Sequence, residues 1–418
     1  MKEGDISLPG TGFIAGRAMS TRMADRTSLY DWHVSAGARM IEFGGWMMPL
    51  QYTGIVEEHL AVRRHAGVFD VGHMGKLAVE GHRAQGFLDA LSANTIPSDV
   101  GRCRYTHLLR EDGTIVDDVI VTCLAADRYF VVCNAGPRPA VVEWMHRRRP
   151  ADVSIEDRTH ELACLALQGP RAPELLQRFT SVDLTKIRPF GAAVIDFVPP
   201  APWGSRPRAV PPEIQGWGPP SFGGPSIDPG QEPTVSGGRA AFLVTRTGYT
   251  GEPGFELFPA ASEGRWVWES LIAVGTDLGI ERIGLGARDT LRLEKGYLLA
   301  GQDFDGRQTP LEVHCEWVVK WDREFLGRAA LLAQRERGDY RRLVGIHIDD
   351  KAIPRHGQAV LARGSEVGVV TSGTLSPSLK VGIALASVDR AVADSGTALE
   401  VDVRGVPHPA RVMQLPFL

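Results

Sequence analysis

Two adjacent acids interrupt a strongly apolar segment at residues 104–136. Asp117 and Asp118 follow Val116 and precede Val119 in "GTIVDDVIV", and a second apolar run, "YFVVCNAG", comes shortly afterwards. An ionised carboxylate is costly to bury unless it is paired or hydrogen-bonded. Such a group can stabilise a positive charge that develops during a reaction, or it can relay a proton. Because side chains alternate along a strand, we expect these two acids to lie on opposite faces.

A glycine-rich stretch, "RTGYTGEPGFE", brings an aromatic ring and a carboxylate together at residues 246–256. Glycine has no Cβ, so the backbone of this stretch can approach a ligand closely. Tyr249 offers a face to a planar heterocycle, and Glu256 could accept two parallel N–H bonds from an aminopyrimidine edge. The same residues also fit a glycine-rich hairpin turn with a surface acid. Taken alone, the stretch favours the turn.

The segment "GLGARDTLRLEKGYLLAGQD" has a helical pattern that is rich in charge. Its predicted helix carries Arg288, Asp289, Arg292, Glu294 and Lys295. Arg288 and Arg292 are four residues apart and therefore share one helix face. That face is either solvated, or it turns an arginine inward to serve the anionic tail of a ligand.

Composition argues against two classes of function. Hydrophobic residues make up 43% of the chain and charged residues 23%, which is typical of a globular protein. The formal net charge of -4 gives no basic surface for nucleic acid, so none is expected as a partner. No apolar run reaches the roughly 18 residues of a membrane span, and no membrane association is expected. The N-terminal residues mix both charges and lack the apolar region of a secretory signal.

The motifs of several catalytic and metal sites are missing from the sequence. His59, His65 and His73 do not have the spacing of a zinc site, so we expect polar histidines with satisfied hydrogen bonds and no metal. The five cysteines are odd in number, lie in apolar stretches and form no CxxC pair, which favours buried free thiols over disulfides. Without a GxSxG, SxxK or P-loop motif, a serine hydrolase or a nucleotide triphosphatase has no support.

Helical and strand patterns follow one another in mixed order along the chain. Residues 104–136 predict an antiparallel hairpin with "EDG" at its turn. Helices are predicted in "IVEEHLAVRRHAGVFDV" as far as a turn at Gly67, in "PAVVEWMHRR", in "RWVWESLIAVGTDLG" and in "LGARDTLRLEKGYLL". The mixed order favours an α+β fold over a doubly wound parallel sheet. From about Tyr340 onwards, short strands separated by turns predict a small antiparallel β-barrel.

Two segments lack the pattern of a folded core. Residues 198–238 are dominated by proline and glycine, and a strand pattern resumes immediately after them, which predicts a surface insertion within one domain. Residues 1–28 are expected to form a flexible N-terminal tail. The "GTGFIAG" inside this tail follows no strand and has the wrong spacing for a dinucleotide-binding loop.

These motifs together resemble the aminomethyltransferase family, the T-protein of the glycine cleavage system. The resemblance covers nearly all of the chain from Leu29 onwards. It rests on eight motifs in family order: "LYDWHVSAGARMIEFGGWMMPLQY", "GVFDVGHMG", "RYTHLLREDGTIVDDVIV", "VVCNAG", "ALQGP", "RTGYTGEPGFE", "GLGARDTLRLEKGYLLAGQD" and "GVVTSGTLSPSL".

The resemblance implies a fold and a division into domains. The family fold is a three-domain cloverleaf around a central folate site, with a C-terminal antiparallel β-barrel. By this resemblance, residues 29–335 would form two intertwined α+β folate-binding domains, and residues 336–418 would form the barrel domain.

The resemblance also implies roles for individual residues. Asp118 matches the catalytic carboxylate at the folate, and Asp117 would be structural. Glu256 would bind the pteridine edge. The residues that match the positions of folate contacts are Tyr105, Asn134, Tyr249, Glu256 and Arg288.

The implied reaction transfers an aminomethyl carbon from the lipoyl arm of a carrier, the H-protein, to tetrahydrofolate as co-substrate. The products are 5,10-methylenetetrahydrofolate, ammonia and the reduced arm. The alternatives are a folate-dependent demethylase of a small methylated amine or sulphonium compound on the same fold, and a non-catalytic folate-binding protein. The expected location is the cytoplasm, or the mitochondrial matrix for a eukaryotic source.

Overall fold

The computed structural model describes residues 23–200 and 239–418 of the 418-residue chain. Its α-helices are α1 (Tyr30–Ser35), α2 (Ile55–Arg64), α3 (Ala84–Leu91), α4 (Arg138–Arg148), α5 (Ala172–Gln177), α6 (Ala261–Val274), α7 (Leu285–Glu294) and α8 (Arg328–Arg337). None of the helices in the described ranges is long and apolar enough to cross a membrane.

The strands of the described residues fall into three sheets and a barrel. They are β1 (Asp25–Arg26), β2 (Arg39–Phe43), β3 (Trp46–Gln51), β4 (Ala66–Asp70), β5 (Gly75–Glu80), β6 (Cys103–Leu109), β7 (Ile115–Ala125), β8 (Arg128–Cys133), β9 (Ser154–Asp157), β10 (Leu165–Gln168), β11 (Ala192–Phe197), β12 (Ala240–Thr245), β13 (Gly254–Phe258), β14 (Ile280–Ile283), β15 (Arg342–Ile348), β16 (Ala359–Ala362), β17 (Ser365–Leu375), β18 (Gly382–Val388), β19 (Ala398–Val403) and β20 (Val406–Met413).

The predicted hairpin is β6–β7, at one edge of a five-stranded sheet with the order β6-β7-β8-β5-β9. All neighbouring strands of this sheet are antiparallel. The expected turn lies between the two strands, and Gly113 there has φ 81°, a conformation that favours glycine. Leu88 of α3 and Val141 of α4 pack with Val119 in the core of this sheet. The predicted antiparallel hairpin is therefore confirmed.

A second sheet has six strands in the order β11-β12-β13-β10-β4-β14. Strand β14 runs parallel to β4, whereas the other neighbouring strands are antiparallel. Leu175 of α5 and Trp268 of α6 pack with Phe255 in a separate core. Predominantly antiparallel sheets with helices packed on them form an α+β fold, as predicted.

The C-terminal strands close into an antiparallel barrel in the order β15-β18-β17-β16-β19-β20. Its interior includes Ile346, Val360 and Val401. The predicted barrel is confirmed. Helix α7 contacts β17 and β18 of the barrel as well as α2 and β3, so this helix joins the barrel to the rest of the protein.

The N-terminal end of the described chain differs from the prediction. Asp25 and Arg26 form β1, which pairs with β3 in a small sheet of order β1-β3-β2. The Thr27 hydroxyl also donates a hydrogen bond to the buried Asp70 carboxylate over 2.6 Å. Residues 25–27 are thus part of the fold, although the expected tail included them. The earlier part of that tail, including "GTGFIAG", lies outside the described residues.

Two further boundaries can be compared with the predicted domains: the start of the barrel and the ends of the insertion. Helix α8 runs through the predicted boundary between residues 335 and 336, and the barrel begins with β15 at Arg342. Most of the predicted insertion, residues 201–238, lies outside the described residues. The strands that flank the insertion, β11 and β12, pair directly with each other, with Phe197 opposite Ala240.

Candidate active site

Three polar side chains share one face of the β6–β7 hairpin. His107 lies directly opposite Asp118 in the strand register, and residues in that relationship project to the same side. Tyr105 projects to this side too, because it precedes His107 by two residues on the same strand. The Tyr105 hydroxyl donates a hydrogen bond of 2.9 Å to Asp118 Oδ2 and lies 3.1 Å from His107 Nε2. The hairpin thus presents the Asp118 carboxylate with one oxygen hydrogen-bonded to Tyr105.

Asn134, the residue after β8, connects the two acids. Its side-chain amide donates to Asp118 Oδ1 over 2.6 Å and to Asp117 Oδ1 over 2.8 Å. Its backbone N–H donates to Asp117 Oδ2 over 2.9 Å. Asp117 lies opposite Leu108 on the other face of the hairpin, which confirms the predicted alternation. Asp117 is fully buried and accepts hydrogen bonds from Asn134, whose side-chain amide also donates to Asp118.

Burial raises the pKa of both acids. For Asp117, burial is the main cause, and the neighbouring charge of Asp118 adds to it. Burial also raises the pKa of Asp118, although the hydrogen bonds from Tyr105 and Asn134 act in the opposite direction. A carboxylate with a raised pKa is a stronger base than a free aspartate, while its ionised form still stabilises a nearby cation. Asp118, the predicted catalytic acid, therefore lies in surroundings that increase its basicity.

Helix α7 brings an arginine to the glycine-rich loop. The backbone N–H of Gly284, which precedes the helix, donates to the buried Glu58 carboxylate over 2.7 Å, and Arg288 follows one turn later. The guanidinium of Arg288 lies over the Tyr249 ring, 4.5 Å from its centroid. Burial lowers the pKa of Arg288. In the described part of the chain its guanidinium has no hydrogen-bonded or ion-paired acceptor, so it can receive an anion.

Tyr249 is fixed from two sides. Its hydroxyl donates to the backbone oxygen of Leu298, and its ring stacks on Tyr297 with 5.8 Å between the centroids. Burial, the largest influence, raises the pKa of this phenol, and the charge of Asp118 contributes. Tyr249 therefore lies within electrostatic reach of the hairpin acid. A neutral, oriented aromatic ring suits the recognition of a flat ligand.

Glu256 lies on β13 of the six-stranded sheet, whereas the acid pair lies on β7 of the five-stranded sheet. It accepts a hydrogen bond from the Thr247 hydroxyl and pairs in register with Thr245 and Ala166. Its charge acts on the pKa of Arg288, but no direct bond joins the two side chains. The structure thus joins Tyr105, Asp118 and Asn134 directly and brings Tyr249 against Arg288. Glu256 is linked to these groups only electrostatically.

Sequence reasoning missed Trp317 and His107, the two rings that contact Tyr105. The ring of Trp317 stacks on the Tyr105 ring, with 5.7 Å between centroids and 19° between planes, and Trp317 is 62% exposed. His107 was missed as well, although the two-residue strand period from Tyr105 could have indicated it. Phe304 packs against His107 at 6.4 Å between ring centroids.

The interpretation of α7 as a solvated charged face is wrong for two of its residues. Arg292 is 1% exposed and pairs with Asp289 over 2.7 Å and with Asp303 over 2.9 Å. Glu294 is fully buried and lies 2.8 Å from the Arg63 guanidinium. Arg292 donates to Ser372 and Glu294 accepts from Ser376, so both side chains bind the barrel. Leu291 and Leu293, on either side of Arg292, are the sequence signal that this end of the helix is buried.

The histidines only partly follow the prediction. His59 is hydrogen-bonded to Thr290 and Ser378, as expected, and His65 is exposed. His73 is buried, and its Nδ1 has no hydrogen-bond partner in the described structure, so the expectation is wrong there. Among the described residues, no group of three His, Cys, Asp or Glu side chains could hold a metal ion. The five cysteines are buried and free, which confirms that prediction.

Comparison with protein families matches both parts of this architecture. The family described as "GCVT N-terminal domain" matches residues 29–197 and 231–323. The family described as "Glycine cleavage T-protein C-terminal barrel domain" matches residues 341–418. The gap in the first match falls in the predicted insertion, and the second match corresponds to the closed barrel.

Full-length relatives agree with the family matches. The chain is 41% identical over 398 residues to the aminomethyltransferase of Geobacillus kaustophilus, covering 94% of this chain and 99% of the relative. It is 37% identical over 395 residues to the aminomethyltransferase of Halothermothrix orenii, with coverage of 94% and 99%. These relatives do not favour the alternative prediction of a demethylase.

A solved structure has the same fold. Glycine cleavage system aminomethyltransferase T from Bartonella henselae matches with a TM-score of 0.79 and 31% identity, covering 94% of this chain and 98% of that one. Sequence families, relatives and fold therefore agree. The chain belongs to the aminomethyltransferase family, the T-proteins of the glycine cleavage system, and is an enzyme of the transferase class.

Proposed function

We propose that the protein transfers an aminomethyl carbon from the lipoyl arm of an H-protein carrier to tetrahydrofolate. In this reaction the carbon–sulfur and carbon–nitrogen bonds of the aminomethyl group break, and two bonds form from the carbon to folate nitrogens. One folate N–H proton passes to the sulfur and the other to the leaving amine. The products are 5,10-methylenetetrahydrofolate, the reduced arm and ammonia.

Asp118 is the catalytic residue of this proposal. The transferred carbon becomes iminium-like and positively charged, and a half-buried, pre-oriented carboxylate stabilises that charge. The same carboxylate can take up a proton from a folate nitrogen, since burial raises its pKa. Tyr105 and Asn134 hold its two oxygens, so the group is oriented before substrate arrives.

The remaining predicted residues would bind the folate. Glu256 can accept two N–H bonds from the aminopyrimidine edge of the pteridine ring. Tyr249 offers a fixed aromatic face, and Arg288 offers a guanidinium that has no acceptor in the described part of the chain. An anionic group of the folate, such as the carboxylates of its glutamate tail, would pair with Arg288.

One observation carries this proposal: a half-buried aspartate with a raised pKa is held by two neutral donors and lies within electrostatic reach of Tyr249. This arrangement suits chemistry at a carbon that becomes cationic. Membership of the T-protein family supports the choice of substrates.

A donor comparison tests the proposal. The protein is incubated with tetrahydrofolate and either the aminomethyl-loaded, lipoylated carrier or free methylated amines and sulphonium compounds. We expect ammonia and 5,10-methylenetetrahydrofolate in equal amounts with the carrier, and no one-carbon transfer from the free compounds. Turnover of a free methylated compound without the carrier would contradict the proposal.

A further inference from the structure

The hydroxyl of Tyr105 has one proton, and its polar neighbours are Asp118, His107 and the Cys315 thiol. It lies 2.9 Å from Asp118 Oδ2 and 3.1 Å from His107 Nε2. If its proton pointed towards His107, the bond that holds Asp118 would be lost. The side chain of His107 therefore decides in which direction the hydroxyl donates.

The surroundings of His107 select one tautomer. The residue is fully buried, and its Nδ1 has no hydrogen-bond partner within the described ranges. Burial lowers the pKa of His107 to about 3, so the ring is neutral and carries a single N–H. An N–H on Nδ1 would be buried without an acceptor, and a bare Nε2 would compete with Asp118 for the Tyr105 proton. With the proton on Nε2, His107 donates to the Tyr105 oxygen and both conflicts disappear.

We propose that His107 is a positioning residue that directs the Tyr105 hydroxyl towards Asp118 and so keeps the carboxylate aligned for transfer. The inference rests on the proposed role of Asp118. It identifies a chain of donors from His107 Nε2 through the Tyr105 hydroxyl to Asp118 Oδ2. His107 itself acts only through Tyr105.

Packing alone does not explain a histidine at this position. The next residues of β6, Leu108 and Leu109, are apolar and buried, and Phe304 lies against the imidazole. An apolar side chain would fill this space without the cost of burying a polar ring. Apart from ring contacts, the hydrogen bond to Tyr105 is the one polar contact of the His107 side chain found in the described structure.

A matched pair of variants separates donation from packing. Gln and Met are similar in volume, but only His107→Gln keeps an N–H donor near the position of Nε2. We expect His107→Met to lower kcat by about ten-fold with the tetrahydrofolate KM within about two-fold, and His107→Gln to restore kcat to within about three-fold of the parent. Leu108→Val, on the opposite face of β6, is the packing control, and its kcat should stay unchanged.

The same pair is then measured in the Tyr105→Phe background, where no hydroxyl remains to be directed. There His107→Met and His107→Gln should have kcat values within about two-fold of each other, because groups that act as a unit are not additive. The inference would be overturned if the kcat values of His107→Met and His107→Gln differed ten-fold in both backgrounds. It would also be overturned if both substitutions lowered kcat equally in the parent protein.

A parallel unfolding cycle separates this inference from the proposed function. The free energies of unfolding of His107→Met, Tyr105→Phe and the double variant measure the hydrogen bond between the two residues. This measurement does not depend on catalytic activity. If the stability losses of the two single variants do not add up in the double variant, the hydrogen bond between His107 and Tyr105 exists. If Asp118→Asn is then fully active, the proposed function is wrong, and so is the catalytic part of this inference. If the stability losses do add up and Asp118→Asn is inactive, only the inference about His107 is wrong.

Discussion

The Arg288 guanidinium lies over the Tyr249 ring, 4.5 Å from the ring centroid. The two residues come from α7 and from the glycine-rich loop, about forty positions apart in the chain. A cation over an aromatic face is attracted by the ring quadrupole, but this contact leaves the N–H donors of Arg288 free. Tyr249 therefore orients the guanidinium, and an anionic ligand group would supply the missing acceptors.

Arg288→Met should weaken tetrahydrofolate binding by about 1.5–3 kcal/mol, the range for a hydrogen bond to a charged group. Binding of tetrahydropteroate, which lacks the glutamate tail, should change much less. Titration calorimetry with both ligands measures the difference. Arg282→Met is a suitable control, because Arg282 lies over the Tyr52 ring in a similar way at 5.4 Å. Equal losses for the two ligands would show that Arg288 does not bind the tail.

Glu256→Gln should weaken tetrahydrofolate binding by roughly 1–3 kcal/mol. A carboxylate can accept two N–H donors from the pteridine edge, whereas an amide presents one acceptor and one competing donor. The exposed Glu281 on β14 provides the control variant, Glu281→Gln, with no expected effect. An unchanged dissociation constant for Glu256→Gln would remove this residue from the site and favour the plain hairpin-turn interpretation of the loop.

The hairpin was predictable because its determinants are local. The "EDG" turn and the apolar runs of β6 and β7 fix the pairing, and the two-residue period then separates Asp117 from Asp118. The barrel was predictable for the same reason, from short strands and turns. The start of the fold at Asp25 was missed, since β1 is two residues long and its residues pair with residues 21 positions later in the chain.

The charge network of α7 could not be predicted because its partners are distant in sequence. Arg292 bonds to Ser372, 80 residues later, and Glu294 to Ser376, 82 residues later. A helical pattern alone does not reveal which face such partners will cover. Of the predicted folate contacts, only the hydrogen bond of Tyr105 to Asp118 follows from strand geometry. The residues around Glu256 and Arg288 left a functional and a structural interpretation open, and the family resemblance decided between them.

Glu294 should make the stability of the protein depend on pH. Burial tends to raise its pKa, but the hydrogen bond and charge of His59, with hydrogen bonds from Ser376 and Arg63, lower it from 4.5 to about 2. A lowered folded-state pKa contributes stability above pH 4.5, and this contribution is lost as the pH falls towards 2. Glu294→Gln should therefore lower the free energy of unfolding by about 3 kcal/mol at pH 7 and by much less near pH 2.5.

Urea unfolding at the two pH values measures this effect of Glu294. Glu174→Gln is the surface control: Glu174 pairs with Arg171, but both side chains are more than 40% exposed, so little change is expected. A deficit of the same size at both pH values would mean that Glu294 stabilises the fold through shape and not through its charge.

Deletion of residues 200–235 with a short Gly/Ser connection should leave a folded protein that binds tetrahydrofolate. Phe197 pairs with Ala240 at the ends of β11 and β12, so a tight turn can join these strands. The proline- and glycine-rich composition of the deleted segment contributes little to an apolar core. We expect the melting temperature to change by no more than about 4 °C, the shift expected for roughly 1 kcal/mol in a chain of this size or smaller. An insoluble or unfolded product would show that the segment packs against the protein.

The role of Asp118 is tested most directly by single-turnover transfer from the loaded carrier to tetrahydrofolate, comparing Asp118→Asn with Asp117→Asn. Asn keeps the shape of the side chain but removes its charge and its basicity. Asp118→Asn should lower the transfer rate at least about ten-fold while tetrahydrofolate affinity stays within about three-fold, the pattern of an interaction made mainly in the transition state. Asp117→Asn should retain transfer at a measurable rate. Full transfer by Asp118→Asn, together with loss of activity in Asp117→Asn, would contradict the account.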